Sequence, residues 1–302
     1  MKGRVLGGNL AAAAAYTIFG LNIVFCKDIS NANIISPVSL FTLRSVGAGI
    51  LFWLLAFFLP KERMSRKDLG LTALASFLGF FTTQLTFLFG IRQTTSIDVA
   101  LMSTLSPIFT MFVAAVAIKE PVTWKKAGGV ALSFFGIILL ILNSVHVPGT
   151  VEHTTPLGFV LIFFNVLSFS MYLGIFRPLI NRYGVVTFMK WIFLFSSIYI
   201  IPFSARDLMT VNWSAMSASV TLEILYLVVF ATFIAYFLIP VAQKRVRPTI
   251  VCLYTYLQPL IACVVSIYAG IDHLTWQKTI AAILVIGGVA VVNSSRSLKQ
   301  NH

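Results

Sequence analysis

The amino-acid sequence predicts an all-α integral membrane protein with ten transmembrane helices, arranged as two inverted five-helix repeats. Three observations predict this fold: the composition, the spacing of long apolar runs, and a match between the two halves of the chain. Of the 302 residues, 58% are hydrophobic and only 10% are charged, and the mean hydropathy is +0.93. Soluble globular domains carry about 25% charged residues, so most of this chain is expected to lie in lipid.

The apolar runs are long enough to cross a bilayer, which takes roughly 20 mainly apolar residues in a helix. Reading these runs between charged or turn-rich breaks predicts spans near residues 8–26, 37–59, 69–90, 96–118, 125–143, 156–176, 184–203, 221–242, 248–269 and 275–293. Little of the chain is left over, so no separate soluble domain is expected.

The basic residues are concentrated in alternate connections between the predicted spans. If the N-terminus lies inside, the inside segments contain Lys2, Arg4, Lys61, Arg63, Arg66, Lys67, Lys119, Lys125, Lys126, Arg177, Arg182, Lys244, Arg245, Arg247, Arg296 and Lys299. The outside connections contain only Lys27, Arg92, Arg206 and Lys278. Because Lys and Arg are retained on the cytoplasmic side, both termini are predicted to be cytoplasmic. The net charge of +13 is therefore explained by the orientation of the chain in the membrane, and it does not indicate a nucleic-acid partner.

The second half of the chain repeats the first. Residues 100–137 match residues 252–289 without a gap at an offset of 152, which aligns Pro107 with Pro259. Each half then holds five spans, and an odd number inverts the second half relative to the first if the chain threads the membrane continuously. The predicted repeats are residues 1–148 and 149–302.

These residues resemble the EamA-type branch of the drug/metabolite transporter superfamily, and the resemblance covers nearly the whole chain. It is carried by Ala-Leu-Met-Ser-Thr-Leu-Ser-Pro at 100–107, Lys-Glu-Pro-Val-Thr-Trp at 119–124, Leu-Tyr-Thr-Tyr-Leu-Gln-Pro at 253–259, Asp-His-Leu-Thr-Trp at 272–276, Phe-Gly-Leu-Asn at 19–22 and Leu-Arg at 43–44. The second copy departs from the family pattern by placing Ile271 and Asp272 where a Gly-Glu pair is common. The resemblance implies a secondary transporter, often an exporter of amino acids or related metabolites, with a central cavity between the halves.

Two prolines interrupt paired spans and are the candidate kink or gating residues. Pro107 and Pro259 each remove a backbone donor and clash with the carbonyl four residues earlier, at Ser103 and Thr255. A kink beside a cavity offers free carbonyls to a ligand or a bending point during alternating access. A simple packing kink is the alternative.

Two basic residues are predicted to lie inside spans. Arg44 and Lys190 are about 10 Å from the start of their spans by helical rise. Ionisable groups at that depth usually face a cavity or a partner, so both are expected to attract an anionic group such as a substrate carboxylate. The alternatives are side chains that reach the headgroups along their apolar stems and, for Arg44, a structural donor to neighbouring carbonyls.

Single polar residues occupy equivalent positions in both halves. At offsets of 150 to 152, Asn22 aligns with Tyr172, Gln84 with Tyr236, Thr104 with Tyr256 and Ser106 with Gln258. A cavity lined by such residues would be largely aromatic with few donors, which suits zwitterionic or moderately apolar metabolites. The candidate substrate-binding residues are Asn22, Arg44, Gln84, Ser103, Tyr172, Lys190, Tyr236, Tyr254, Tyr256 and Gln258.

The function predicted from these features is transport. All nine carboxylates fall in loops or at span ends, which disfavours proton-coupled antiport of organic cations unless Asp98 or Glu223 lies deeper than predicted. The motifs H-E-x-x-H and G-x-S-x-G are absent from the sequence, so an enzyme, a metal site or a cofactor is not expected.

The expected protein is a carrier that exports amino acids, or related zwitterionic or anionic solutes, across a bacterial cytoplasmic membrane by alternating access. Its partners are a small-molecule substrate and the lipid bilayer, and it is a monomer or homodimer. A multidrug or nucleoside/sugar transporter of the same fold, a channel and a non-transporting membrane receptor are the alternatives.

Overall fold

The computed structural model describes residues 2–94, 99, 102–142, 155–211, 213, 216–268 and 276–294. In this part of the chain the helices are α1 (Lys2–Ala32), α2 (Pro37–Phe57), α3 (Arg66–Ile91), α4 (Ser106–Ala117), α5 (Trp124–Leu142), α6 (Pro156–Ile175), α7 (Arg177–Arg182), α8 (Val185–Thr210), α9 (Ala218–Gln243), α10 (Pro248–Leu253), α11 (Leu257–Tyr268) and α12 (Trp276–Ser294).

Six of the helices in the described residues are long and apolar enough to cross a membrane. They are α1, α2, α3, α6, α8 and α9. Two shorter apolar helices cover Ser106–Ala117 and Ile283–Val292. With these spans the protein is an all-helical, multi-pass membrane protein.

The predicted spans differ from the helices in several places. Helix α1 extends past the predicted span at 8–26 at both ends, and within the predicted span at 96–118 α4 begins only at Ser106, after a turn at 104–105. The predicted span at 248–269 is divided into α10, a 3₁₀ turn at Tyr254–Tyr256, and α11. The turn ends three residues before Pro259, which cannot donate to the preceding turn of the helix. The short helix α7 was not predicted, because its sequence contains two arginines and therefore reads as a connection.

Hydroxyl side chains cap several helix N-termini. Ser36, Ser65, Thr155 and Ser217 each accept a hydrogen bond from the backbone N–H three residues later, at the start of α2, α3, α6 and α9. Such a bond satisfies one of the donors that a helix N-terminus leaves free. Two of these caps, Ser65 and Ser217, are 152 residues apart.

A π-helical turn interrupts α3 and another interrupts α9. The first covers Phe77–Thr82 and the second Val229–Ile234, so they too are 152 residues apart. At each turn a threonine hydroxyl donates to the carbonyl five residues earlier: Thr83, directly after the first turn, to Leu78 at 2.8 Å, and Thr232, within the second, to Leu227 at 2.6 Å. A π turn leaves the regular helix ladder short of donors, and these hydroxyls replace them.

Helices α2 and α8, which occupy equivalent positions in the two halves, contact each other and run antiparallel. Between α2 and α8, the hydroxyls of Ser45 and Ser197 lie 3.1 Å apart, whereas the ring of Trp53 contacts that of Trp191 at 5.6 Å. The residue numbers rise along one helix as they fall along the other. Three hydrogen-bonded pairs are themselves separated by 152 residues: Ser45 with Ser197, Gln84 with Tyr236, and Ser133 with the carbonyl of Val285.

In the remaining contacts, helices of one half pack on helices of the other half. Helix α3 packs on α6 while α1 packs on α9, and α4 packs on α6 while α11 packs on α1. Each pairing thus has a counterpart in which the two halves swap roles. The hydrophobic core consequently contains residues of both halves, so neither half buries its apolar surface alone.

The pair α5 and α12 is packed through small residues. A Cβ atom on Gly288 would lie 2.6 Å from the carbonyl oxygen of Gly129, and one on Gly129 would lie 2.8 Å from the carbonyl oxygen of Gly288. The hydroxyl of Ser133 fills the space between the two glycines' helices and donates to Val285. Close approach of two backbones through small residues is a common way to join helices in lipid.

Ionic contacts lie at the end of the molecule where α3, α5 and α8 begin. Asp68 accepts hydrogen bonds from Arg182 at 2.8 Å and from the hydroxyl of Tyr183 at 2.6 Å, which joins the two halves. Lys126 and Glu120 form a buried ion pair at 2.5 Å, with both side chains at most 3% exposed.

Two further arginines approach this buried pair. Burial lowers the pKa of the Arg177 guanidinium, the Glu120 carboxylate opposes that lowering, and the positive charge of Arg247 adds to it. The Glu120 carboxylate therefore faces Lys126 and these two arginines.

Candidate functional site

A cavity of about 80 Å³ lies in the interior of the bundle, between the two halves. Its lining comes from α1, α3, α4, α6, α9, α11 and the turns before α4 and α11. The lining residues are Tyr16, Phe19, Asn22, Ile23, Thr83, Gln84, Phe87, Ser103, Ser106, Asn165, Val166, Phe169, Tyr236, Thr255 and Gln258. The cavity has room for a few water molecules or for part of a small solute.

The lining contains equivalent positions from both halves. Phe19 and Phe169 are 150 residues apart, and three further pairs are 152 residues apart: Gln84 with Tyr236, Ser103 with Thr255, and Ser106 with Gln258. The cavity therefore lies where the two repeats meet. Five of the residues predicted from the sequence to bind substrate line it: Asn22, Gln84, Ser103, Tyr236 and Gln258.

Gln84 and Tyr236 are fixed against each other at the wall of the cavity. The Gln84 Nε2 atom donates to the Tyr236 hydroxyl at 2.9 Å. The Tyr236 ring is held at its edges by Phe19 at 5.6 Å and by Phe80 at 4.9 Å. In this orientation the Gln84 Oε1 atom is buried and accepts no hydrogen bond from the part of the chain that the structure describes.

The two prolines lie next to the cavity, and the carbonyls from which they withhold a helical donor belong to lining residues. Pro107 and Pro259 are both buried, and Ser103 and Thr255, four residues earlier, both line the cavity. Since proline has no N–H, neither carbonyl receives its regular helical hydrogen bond. The Ser103 hydroxyl donates to the Val99 carbonyl at 2.8 Å and therefore does not occupy the Ser103 carbonyl.

Arg44 is fully buried but is not among the residues that line the cavity. Its Nε atom donates to the Thr232 hydroxyl in the π turn of α9 at 2.9 Å, and its Nη1 atom approaches the Cys26 sulfur at 3.7 Å. Its Nη2 atom has no acceptor within the described ranges. Arg44 thus links α2 of the first half to α9 of the second.

The other predicted site residues also lie outside the lining. The Lys190 Nζ atom sits 5.0 Å from the centre of the Trp53 ring, in a cation–π contact at the side of the bundle. Tyr172 is buried against Gly79 in the π turn of α3 and stacks on Phe169 at 5.9 Å.

Tyr254 and Tyr256 belong to the 3₁₀ turn. Tyr256 packs in a hydrophobic cluster with Val130 of α5 and with Val285 and Val292 of α12, and it is not among the lining residues. Tyr256 was predicted to bind substrate because its repeat position is polar in both halves. A repeat position does not fix the direction of a side chain in a broken helix.

Several lining residues were not selected from the sequence. Tyr16, Thr83 and Asn165 line the cavity, and the Asn165 Nδ2 atom donates to the Thr83 carbonyl at 2.7 Å next to the π turn. Asn165 is a polar residue within a predicted span, but the equivalent residue of the first half is Ala15. Asn165 was therefore not selected, since only positions that are polar in both halves were paired. No sequence signal marks Thr83, because its role follows from the local π turn.

None of the described residues that line the cavity is charged. Among the described residues, the carboxylates that lie within helices are near helix ends. Glu223, in the second turn of α9, accepts a hydrogen bond at 3.2 Å from the hydroxyl of Ser219, one turn earlier. The cavity therefore offers neutral hydrogen-bonding groups and aromatic rings to a solute.

A multi-pass helical bundle that encloses a polar cavity between two related halves defines a membrane transport protein. The family model described as the EamA-like transporter family matches residues 6–142 and again residues 156–294. The chain belongs to this family, which is part of the drug/metabolite transporter superfamily, and it is a transporter and not an enzyme.

The chain is similar to several known proteins. The uncharacterized transporter YetK of Bacillus subtilis is 23% identical over 292 residues, which cover 95% of this chain and 86% of that protein. An S-adenosylmethionine/S-adenosylhomocysteine transporter of Chlamydia muridarum is 31% identical over 119 residues, 39% of this chain and 37% of that one. A crystal structure with 16% sequence identity superposes with a TM-score of 0.73 over 96% of both chains, which shows a shared fold.

Proposed function

We propose that this transporter is a secondary carrier for small amino acids or related zwitterionic or anionic solutes, which it exports through the central cavity by alternating access. The observation that carries the proposal is the lining of the cavity. It is uncharged, partly aromatic and supplied by equivalent positions of both halves. Such a wall favours a solute whose own charges are balanced over one that needs a fixed counter-charge.

The similarity to the chlamydial transporter supports an amino-acid-like solute. That relative is named for S-adenosylmethionine and S-adenosylhomocysteine, and both molecules carry an amino acid head group. The matched segment covers 39% of this chain, so the size of the solute is taken from the cavity and not from the relative.

The proposed mechanism uses ten spans in two inverted repeats, residues 1–148 and 149–302. The antiparallel contact of α2 with α8 supports inversion, because equivalent helices that touch and run antiparallel are related by an axis perpendicular to them. The paired π turns support a common design of the two halves. The charge distribution of the loops supports cytoplasmic termini in a bacterial inner membrane.

Within this mechanism Asn22, Gln84, Ser103, Tyr236 and Gln258 contact the solute, and Pro107 and Pro259 allow the broken helices to bend. Arg44 acts through its bond to the π turn of α9. Roles for Tyr172, Lys190, Tyr254 and Tyr256 in binding stay predictions from the sequence.

The test is counterflow in proteoliposomes that contain the purified protein. Saturable exchange of a labelled amino acid, with no imposed gradient and none in protein-free liposomes, is the expected result. Repeating the uptake with a pH gradient reports proton coupling. Flux that does not saturate would indicate a channel. If no labelled amino acid is exchanged, multidrug, nucleoside or sugar transport, or a receptor, would be favoured.

Replacement of Arg44 by glutamine should lower counterflow of carboxylate-bearing solutes by about tenfold, because a charged hydrogen bond to the π turn is lost. Lys190→Gln should have a smaller effect, since Lys190 is partly exposed and its Nζ atom lies over the Trp53 ring at the side of the bundle. Initial rates are compared at equal amounts of inserted protein.

Arg92→Gln, at an exposed position after α3, is the matched control for the loss of an arginine. Undiminished flux in both the Arg44 and the Lys190 variants would remove these two residues from the transport mechanism.

A further inference from the structure

We propose that the carbonyl oxygens of Ser103 and Thr255, together with the Gln84 Oε1 atom, form a site for a positively charged nitrogen, the ammonium group of the transported solute. The inference rests on the proposed function in that the bound nitrogen belongs to the substrate. It adds which pole of the substrate the cavity recognises and which atoms recognise it.

The first argument is the supply of acceptors. Ser103 and Thr255 occupy equivalent positions in the two halves, both line the cavity, and both precede a proline by four residues. Each carbonyl therefore lacks its helical donor. A carbonyl oxygen has two lone pairs, so the Thr255 oxygen, which the Leu257 N–H approaches, keeps one of them available. In a membrane interior a carbonyl that lacks its helical donor is found where it lines a cavity or contacts a ligand.

The second argument is the orientation of the Gln84 amide. Its nitrogen is engaged by the Tyr236 hydroxyl, and that ring is fixed by aromatic neighbours. The amide oxygen is left buried, with no donor from the described part of the chain. Gln84 is only 6% exposed, so neither bulk water nor lipid headgroups supply the missing donor.

The third argument is the nature of the surrounding surface. Phe19, Phe87 and Phe169 line the cavity, and aromatic faces attract an ammonium group. No Lys or Arg is present among the described lining residues to repel it, and no carboxylate is present to hold it tightly. A cation can therefore bind and still leave, as a carrier requires.

The experiment measures binding directly, without transport. The thermal unfolding midpoint of the detergent-solubilised protein is recorded with n-propylammonium chloride, 1-propanol or sodium propionate, at matched ionic strength. A ligand that binds only the folded state raises the midpoint. We expect n-propylammonium to raise it and the neutral and anionic isosteres to leave it unchanged.

Variants at Gln84 test the polarity of the site. Gln84→Leu removes one acceptor and should weaken n-propylammonium binding about tenfold, whereas Gln84→Glu adds a negative charge and should tighten it about tenfold. A gain of affinity in Gln84→Glu is not expected from a purely structural role. Gln243→Leu is the control, since this buried amide donates to the Leu173 carbonyl outside the lining.

Variants at the prolines test the carbonyls. Pro107→Ala and Pro259→Ala restore an N–H that can pair with the carbonyls of Ser103 and Thr255, and both should weaken binding. Pro202→Ala is the matched control, because this mid-helix proline in α8 is exposed and lies away from the cavity.

The outcomes separate this site from the proposed function. Propionate stabilisation, equal effects of all three probes, or no effect of any probe would overturn the ammonium site even if amino acid counterflow is observed. Stabilisation by n-propylammonium that follows the Gln84 variants would support the site even if the amino acid panel is silent, and the solute would then be sought among other amines.

Discussion

Replacement of Gly288 by leucine is expected to destabilise the protein by about 3 kcal/mol and to lower the yield of folded protein. A side chain at this position would lie 2.6 Å from the Gly129 carbonyl oxygen, which belongs to the backbone of α5 and cannot rotate away. The two helices would have to separate, and the hydrogen bond from Ser133 to Val285 would be lost with their contact.

The neighbouring glycine gives a matched control. A Cβ atom on Gly287 meets nothing within 4 Å, so Gly287→Leu makes the same change in volume and helix propensity without a clash. Thermal unfolding and the monodisperse fraction in detergent are measured for both variants. Equal behaviour of the two would contradict the close packing of α5 on α12.

Replacement of Glu120 by alanine should cost about 3–5 kcal/mol, because it leaves a buried Lys126 without its carboxylate. Lys126 would retain only the bond from its Nζ atom to the Pro121 carbonyl at 2.8 Å. The arginines nearby increase the effect, since Arg177 and Arg247 place further positive charge at the same end of the bundle.

A double variant tests the charge interaction separately from the volume that the two side chains fill. Glu120→Leu combined with Lys126→Met replaces the pair by apolar side chains and should recover much of the stability that Glu120→Ala loses. Glu62→Gln is the control, since the Glu62 carboxylate bonds the exposed Gly184 N–H and should change stability by about 1 kcal/mol or less. Additive losses in the double variant would show that the two side chains do not act as a pair.

The hydropathy of the sequence was sufficient to predict the six membrane spans found among the described residues, because lipid accepts only long apolar helices whose backbone bonds are internal. The predicted spans at 37–59, 69–90 and 156–176 agree with α2, α3 and α6. The broken region at 254–256 was anticipated only as a kink at Pro259. Its 3₁₀ turn depends on how the chain repacks around the missing donor.

The candidate site was predictable for two of the four polar repeat pairs. Gln84 with Tyr236, and Ser106 with Gln258, are polar in both halves, and all four line the cavity. Arg44 was expected at the cavity from its depth alone, yet its guanidinium turns to Thr232. Depth along a helix says nothing about the direction of a side chain around it.

By itself the sequence determined the all-helical membrane class, the repeat and the family, since these follow from composition, spacing and motifs along the chain. Only the tertiary structure decided which side chains face the cavity, where the π turns lie, and that Gln84 meets Tyr236 across the two halves. These features depend on helix rotation and on contacts between residues 152 positions apart. Such contacts are made when helices pack, and no local pattern encodes them.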